Sequence, residues 1–141
     1  MGRIDKELLN YHSKYSKDGV LINKLEIENE EELNKAERLI TSYKLSKMYL
    51  RDEEISFDVS YYLNIHKELF GDIYPFAGEI RNEVIAKRIP FCLPQNIYTF
   101  LEDTLNRAKK RAENINSYDE LLRVVVEIYS DLDITHPFRE G

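Results

Sequence analysis

Four stretches of this chain carry apolar residues at the three- and four-residue spacing of a helix, and one stretch rich in proline and glycine interrupts them. That stretch, Gly71 to Pro94, holds three of the four prolines and two of the five glycines. The division points to an all-α fold with one irregular insertion. Leu33, Ala36, Ile40, Tyr43 and Leu50 define one face of a first helix, from about Glu30 to Arg51. Asn29 before three glutamates reads as its N-cap. A second helix is expected from about Phe57 to Phe70, with Val59, Tyr62, Ile65 and Leu69 on one side. A third spans about Gln95 to Glu113 through Ile97, Leu101, Leu105, Ala108 and Ala112. The fourth, from about Ser117 to Asp133, turns Leu121 or Leu122, Val125, Ile128 or Tyr129, and Leu132 inward. Ser117 with Glu120 forms a capping box at its start.

Inside the interruption, Glu83–Ala86 and Ile89–Leu93 are short apolar runs around Lys87-Arg88, which predicts a small β-hairpin. Pro90 and Pro94 confine its second run to an edge. The expected class is therefore all-α with a small β-hairpin. Residues 1–30 form a polar arm with a turn signal at Lys17-Asp18-Gly19, expected to pack on a core of residues 31–141.

Apolar residues make up 43% of the 141, enough for one folded domain. The net charge of -6 argues against a nucleic-acid binder that relies on a basic face, but leaves room for a local phosphate site. Cys92 is the single cysteine, so no intrachain disulfide forms, and a buried thiol is expected. No apolar run approaches the roughly 18 residues of a membrane span, and the N-terminal residues lack a signal-peptide core. Cytoplasmic synthesis is expected, with delivery elsewhere left open, and no membrane partner.

The chemistry concentrates at residues 135–141, Thr-His-Pro-Phe-Arg-Glu-Gly. The fourth helix ends, a proline turns the chain, and His136 stands at the turn. A histidine can act as general base near neutral pH. Four residues on, the Glu140 carboxylate can hold Mg²⁺ beside phosphate oxygens. Gly141 lets backbone N–H groups close around a phosphate. On residue chemistry alone, a helix-ending His-Pro turn with a solvated carboxylate stands beside this catalytic reading.

His136-Pro137-Phe138-Arg139-Glu140-Gly141 matches the first six positions of the signature HPFx(D/E)GNGRxxR, and Leu69–Arg81 resembles the segment LFxxIYxFAGxxR. A looser block, Gly19–Leu25 followed by Glu37–Thr41, is similar to the start of domains in bacterial toxins and secreted effectors. In these blocks the chain resembles the Fic domain family. The resemblance implies a protein adenylyltransferase that moves AMP from ATP to a Ser, Thr or Tyr hydroxyl of a target protein. It implies His136 as general base, Glu140 as the Mg²⁺ ligand and Gly141 in the phosphate cradle. Ile85, Lys87, Ile89 and Phe91 would hold the target segment on the hairpin, or flap. Phe138 is expected to anchor the loop, Arg139 to be solvated or near the substrate, and Arg81 to partner a helix end. His66 is expected to be a satisfied structural histidine, and His12 has no evident partner.

The alternatives are a phosphotransferase of the same superfamily and a non-catalytic module that keeps the fold. Arg88 stands where the family usually has glycine, a departure at the flap tip. Family members are commonly restrained by a helix bearing [S/T]xxxE[G/N]; no Ser or Thr of the chain has Glu four residues later. Restraint is expected from a small antitoxin with an inhibitory helix, or from residues past 141. Without the rest of the motif, the 141-residue chain is expected to be impaired. Calorimetric titration of ATP–Mg²⁺ into it should give no binding tighter than about 10 μM, roughly 7 kcal/mol.

Overall fold

The computed structural model describes residues 13–86 and 89–140. His12, Lys87, Arg88 and Gly141 lie outside the described residues, so the expectations placed on them stay at the level of sequence. Strands β1 (Ser16–Lys17) and β2 (Val20–Leu21) pair antiparallel, Ser16 opposite Leu21 and Lys17 opposite Val20. Asp18 and Gly19 join them at φ 51° and 83°. Two consecutive positive φ values are what a tight two-residue hairpin demands, and Asp-Gly supplies them. The described part of this segment contacts the helical core. Lys24 N–H donates to the Ile73 carbonyl at 2.7 Å, and Tyr15 packs edge-on against Phe76 with centroids 5.0 Å apart.

Helix α1 (Glu30–Tyr49) starts where expected, with the Asn29 side chain accepting from Glu32 N–H at 3.0 Å. Leu33 is buried against Ile73, Tyr74, Phe76 and Ala77, and Ile40 packs on the same cluster. The predicted face fails further along: Tyr43 is 63% and Leu50 84% exposed. Helix α2 (Val59–Phe70) lies beside this half of α1, which meets its C-terminal turn through Lys44, whose Nζ donates to the Glu68 carbonyl at 2.9 Å and pairs with Asp72 at 2.6 Å.

Helix α3 (Pro94–Ala112) opens with proline at its first turn, where a missing N–H costs nothing. Ile97, Leu101, Leu105 and Ala108 are buried as expected, together with Thr104. Helix α4 (Tyr118–Thr135) is capped by Ser117, which accepts from Glu120 N–H at 3.2 Å. Its inward row differs from the sequence reading by one residue: Val124 is buried, while Val125 is 53% exposed. Ion pairs to α3 accompany this rotation. Arg107 on α3 reaches Glu127 at 3.2 Å and Asp131 at 2.7 Å, and Arg111 also pairs with Glu127. With Glu127 and Asp131 beside α3, Val124, Ile128 and Thr135 turn inward and Val125 and Tyr129 turn out.

The fold class is as expected, but the flap is not a regular ladder. Ala86 and Pro90 form one antiparallel bridge, and Phe91 N–H donates to the Ile85 carbonyl at 3.2 Å. Pro90 has no N–H to give. The next donor, Cys92 N–H, leaves the hairpin for the Ile134 carbonyl at the end of α4, 3.1 Å away.

Before the flap, Gly78 sits at φ 80°, and a Cβ there would lie 2.6 Å from Lys67 Cβ and 3.1 Å from the Leu63 carbonyl oxygen. Gly19 has a similar φ with nothing within 4 Å. Gly19→Ala should therefore cost only the left-handed penalty of about 1–2 kcal/mol. Gly78→Ala should cost clearly more, because α2 must also move. Urea unfolding of both variants checks this; equal losses would mean that α2 yields freely.

Candidate active site

Arg81, 1% exposed, holds the site together. Its Nε donates to the His136 carbonyl, Nη1 to the Glu83 carbonyl and Nη2 to the Cys92 carbonyl, each at 2.7 Å. Nη2 also reaches the Thr135 carbonyl at 3.3 Å, and Arg81 N–H donates to the Pro137 carbonyl at 2.9 Å. The two sides of the flap and the end of α4 are thus bound to one residue. Burial lowers the guanidinium's pKa from its usual value, yet an arginine stays charged in proteins. The expected role of Arg81 as partner of a helix end matches this geometry, and its hold on the flap goes further. Terminal carbonyls of α4 carry the negative end of the helix dipole, which favours a cation there.

His136 caps α4 in the left-handed region, φ 42° and ψ 67°, with its N–H on the Leu132 carbonyl at 2.9 Å. It lines a cavity of about 330 Å³ between Tyr62, Tyr129 and Phe138. A larger hollow of about 600 Å³ lies in the arm at residues 17–28, with no residue of the motif in its lining. The flap stands beside His136: the Phe91 ring stacks on the imidazole with centroids 4.2 Å apart and planes 9° from parallel. Among the other expected flap contacts, Ile85 is half-buried and Ile89 is exposed. Cys92 is half-buried rather than buried, and burial pushes its thiol pKa up.

His66, buried on α2, fixes the loop after His136. Its Nδ1 accepts from Gly78 N–H at 2.9 Å, so the proton sits on Nε2, which donates to the Glu140 carbonyl at 2.7 Å. The ring stacks on Phe138 at 3.6 Å and on Phe70 at 4.6 Å. The structural histidine read from sequence is present, with a second duty that its position beside Ile65 did not signal. Phe138 is buried as expected. Arg139 is not solvated: its side chain is 9% exposed.

The Glu140 carboxylate is 39% exposed and lies 4.0 Å from Arg139 Nη1. Among the described residues, no group of three or more His, Cys, Asp or Glu side chains could hold a metal ion. A single accessible carboxylate is nonetheless a fit donor for Mg²⁺, which binds through one or two carboxylates plus substrate phosphates.

Burial lowers the His66 pKa to about 4 from an ordinary 6.5. The folded state therefore prefers neutral His66, and this contribution is complete above about pH 6.5. It is lost as pH falls toward 4, up to about 3 kcal/mol. Asp58, at about 2, loses its contribution only below its ordinary 3.8, so the two windows separate. Urea midpoints at pH 7 and pH 4.5 should drop more in the wild type than in His66→Asn. Equal drops would assign the acid sensitivity elsewhere.

A model of the Fic/DOC family matches residues 56–141. The chain is similar to the protein adenylyltransferase VbhT of Bartonella schoenbuchensis, 27% identical over 129 residues that cover 87% of this chain and 26% of that protein. It is similar to the probable protein adenylyltransferase y4lH of Sinorhizobium fredii, 26% identical over 129 residues, 86% of this chain and 64% of that one. It thus spans less than two thirds of either relative. The N-terminal Fic domain of a VirB-translocated effector from Bartonella sp. AR 15-3 superposes with a TM-score of 0.79 at 25% identity, over 94% of this chain and 66% of that one. BepC of Bartonella tribocorum, solved with AMPPNP, has the same fold, with a TM-score of 0.78 at 21% identity over 94% of this chain and 70% of that one. No helix among the described residues is long and apolar enough to cross a membrane.

Proposed function

The chain belongs to the Fic/DOC family, and on that premise we propose that it acts in protein adenylylation, moving AMP from ATP to a hydroxyl of a target protein. The observation that carries this reading is the flap held against His136 within the motif His136–Gly141. A target segment added along the flap would bring its hydroxyl to the imidazole. His136 takes the proton of that Ser, Thr or Tyr hydroxyl as its oxygen attacks the α-phosphate, and pyrophosphate departs. Glu140 would hold Mg²⁺, whose chemistry when bound is to neutralise charge on the phosphates. Gly141 would open the backbone cradle. Ile85, Lys87 and Ile89 are the flap residues assigned to the target. The adenylyltransferase names of two relatives favour AMP transfer over phosphotransfer.

Residues 1–30 and 31–141 act in this scheme as arm and catalytic core. Partners beyond ATP and the target include a small antitoxin with an inhibitory helix. Use as a toxin or delivered effector is supported by the translocated Bartonella protein described above.

The test is transfer of label from ATP in a protein carrying the complete motif, with and without Mg²⁺. His136→Ala should reduce transfer by about a hundredfold to ten-thousandfold, the usual worth of a general base. Glu140→Ala should weaken activity and Mg²⁺ dependence together with little change in thermal midpoint, since the bond from His66 goes to the Glu140 backbone carbonyl, which the substitution keeps. Undiminished labelling by His136→Ala, or unfolding by Glu140→Ala with activity kept in the folded fraction, would overturn the scheme.

A further inference from the structure

The phenyl ring of Phe91 and the imidazole of His136 are each held by backbone that does not depend on their contact. On the flap, Phe91 N–H donates to the Ile85 carbonyl, and the following Cys92 N–H donates to the Ile134 carbonyl. On the helix end, His136 N–H is bound to Leu132 and its carbonyl to Arg81 Nε. Between these anchors the rings lie face to face, 4.2 Å apart and 9° from parallel.

An imidazole on a bare helix end turns about χ1 and χ2 through several rotamers. A phenyl group against one face removes those in which the ring would cross it. The ring nitrogens then lie within a plane parallel to the phenyl, and the residue lines the cavity shared with Tyr62, Tyr129 and Phe138. A general base works only with its nitrogen within hydrogen-bond reach of the proton it takes. The negative face of the phenyl quadrupole also favours the imidazolium that exists once the proton has moved.

We propose that Phe91 is a positioning residue for the general base, fixing the His136 ring and cradling its protonated form, and is not a contact for the target segment. Resting on the assignment of His136 as base, this moves Phe91 from the target-binding group to the machinery of proton transfer. In that step the hydroxyl O–H bond breaks, its proton goes to the imidazole, the oxygen bonds to the α-phosphorus, and pyrophosphate leaves with the electron pair.

The two roles differ in what they do to kinetics and to the spectrum of His136. A target contact acts on KM for the target; an orienting ring acts on kcat. The chain has three histidines, so the His136 imidazole C–H resonances can be assigned by their loss in His136→Ala. Stacked under a phenyl face, they should be shifted upfield in the wild type. They should return to ordinary positions in Phe91→Leu and stay shifted in Phe91→Tyr, with the His66 resonances unchanged throughout. In the full-length protein, Phe91→Leu should lower kcat by about ten- to a hundredfold, with KM for ATP and target within about twofold, and Phe91→Tyr should restore it. An unshifted His136 resonance in the wild type overturns the inference, even where the leucine variant fails to fold. So does a raised target KM at unchanged kcat. Failure of the adenylylation scheme itself reads differently: His136→Ala then stays active while the wild-type resonance is still shifted.

Discussion

A guanidinium out of water must find acceptors for its donors, and the architecture of this site follows from how Arg81 finds them. Four of its acceptors are backbone carbonyls, at Glu83, Cys92, Thr135 and His136. Each hydrogen bond to a charged group is worth about 1.5–3 kcal/mol, against a desolvation cost of several kcal/mol for the cation. The net gain in stability is therefore modest. What the residue secures is geometry: two sides of a flap and the last turn of α4 meet at one planar fork. A lysine keeps the charge but cannot reach four carbonyls in that arrangement.

The network extends in both directions from there. Toward the N-terminus, the Glu83 carboxylate accepts from Ser13 Oγ at 2.6 Å and Lys14 N–H at 2.8 Å, and Tyr15 Oη exchanges hydrogen bonds with Asn82. The arm is thereby fastened to the root of the flap. Toward the C-terminus, His66 binds Gly78 through one nitrogen and Glu140 through the other, with Phe138 stacked between. Gly78 has to be glycine for α2 to come this close. The segment that resembled LFxxIYxFAGxxR is thus a set of backbone clasps around the loop after His136.

Helix positions were legible because capping and periodicity are local. Asn29 and Ser117 each act within one turn of their own position, whereas Pro94, read from sequence as part of the flap, is the first residue of α3. Which face turns inward was less so. On α4, apolar residues occupy more than one face, and the face turned inward lies beside α3, where Arg107 and Arg111 also meet Glu127 and Asp131. On α1, Tyr43 and Leu50 continue the apolar pattern but are exposed. At the site, His136, Glu140 and Arg81 could be singled out because their residue types are costly to bury or suited to chemistry. Phe91 could not be separated from the flap apolars, since its distinguishing contact spans 45 residues of chain. His66 was legible as buried, but its grip on Glu140 depends on a loop 74 residues away.

The irregular flap and the left-handed His136 then have a common explanation. A non-glycine residue at φ 42° costs on the order of 1–3 kcal/mol and persists only where its surroundings fix it. Here the fixing groups are Leu132, Arg81 and the Phe91 ring, and two of these three belong to the Gly71–Pro94 interruption. With Phe91 N–H on the Ile85 carbonyl, the antiparallel pattern turns the N–H of the next residue away from the partner strand. Cys92 N–H therefore has no acceptor within the hairpin, and it bonds the Ile134 carbonyl at the end of α4 instead. Pro90 stands opposite Ala86, in the register where its missing N–H would also point outward. The outward edge of the flap is what joins it to the end of α4 and to His136.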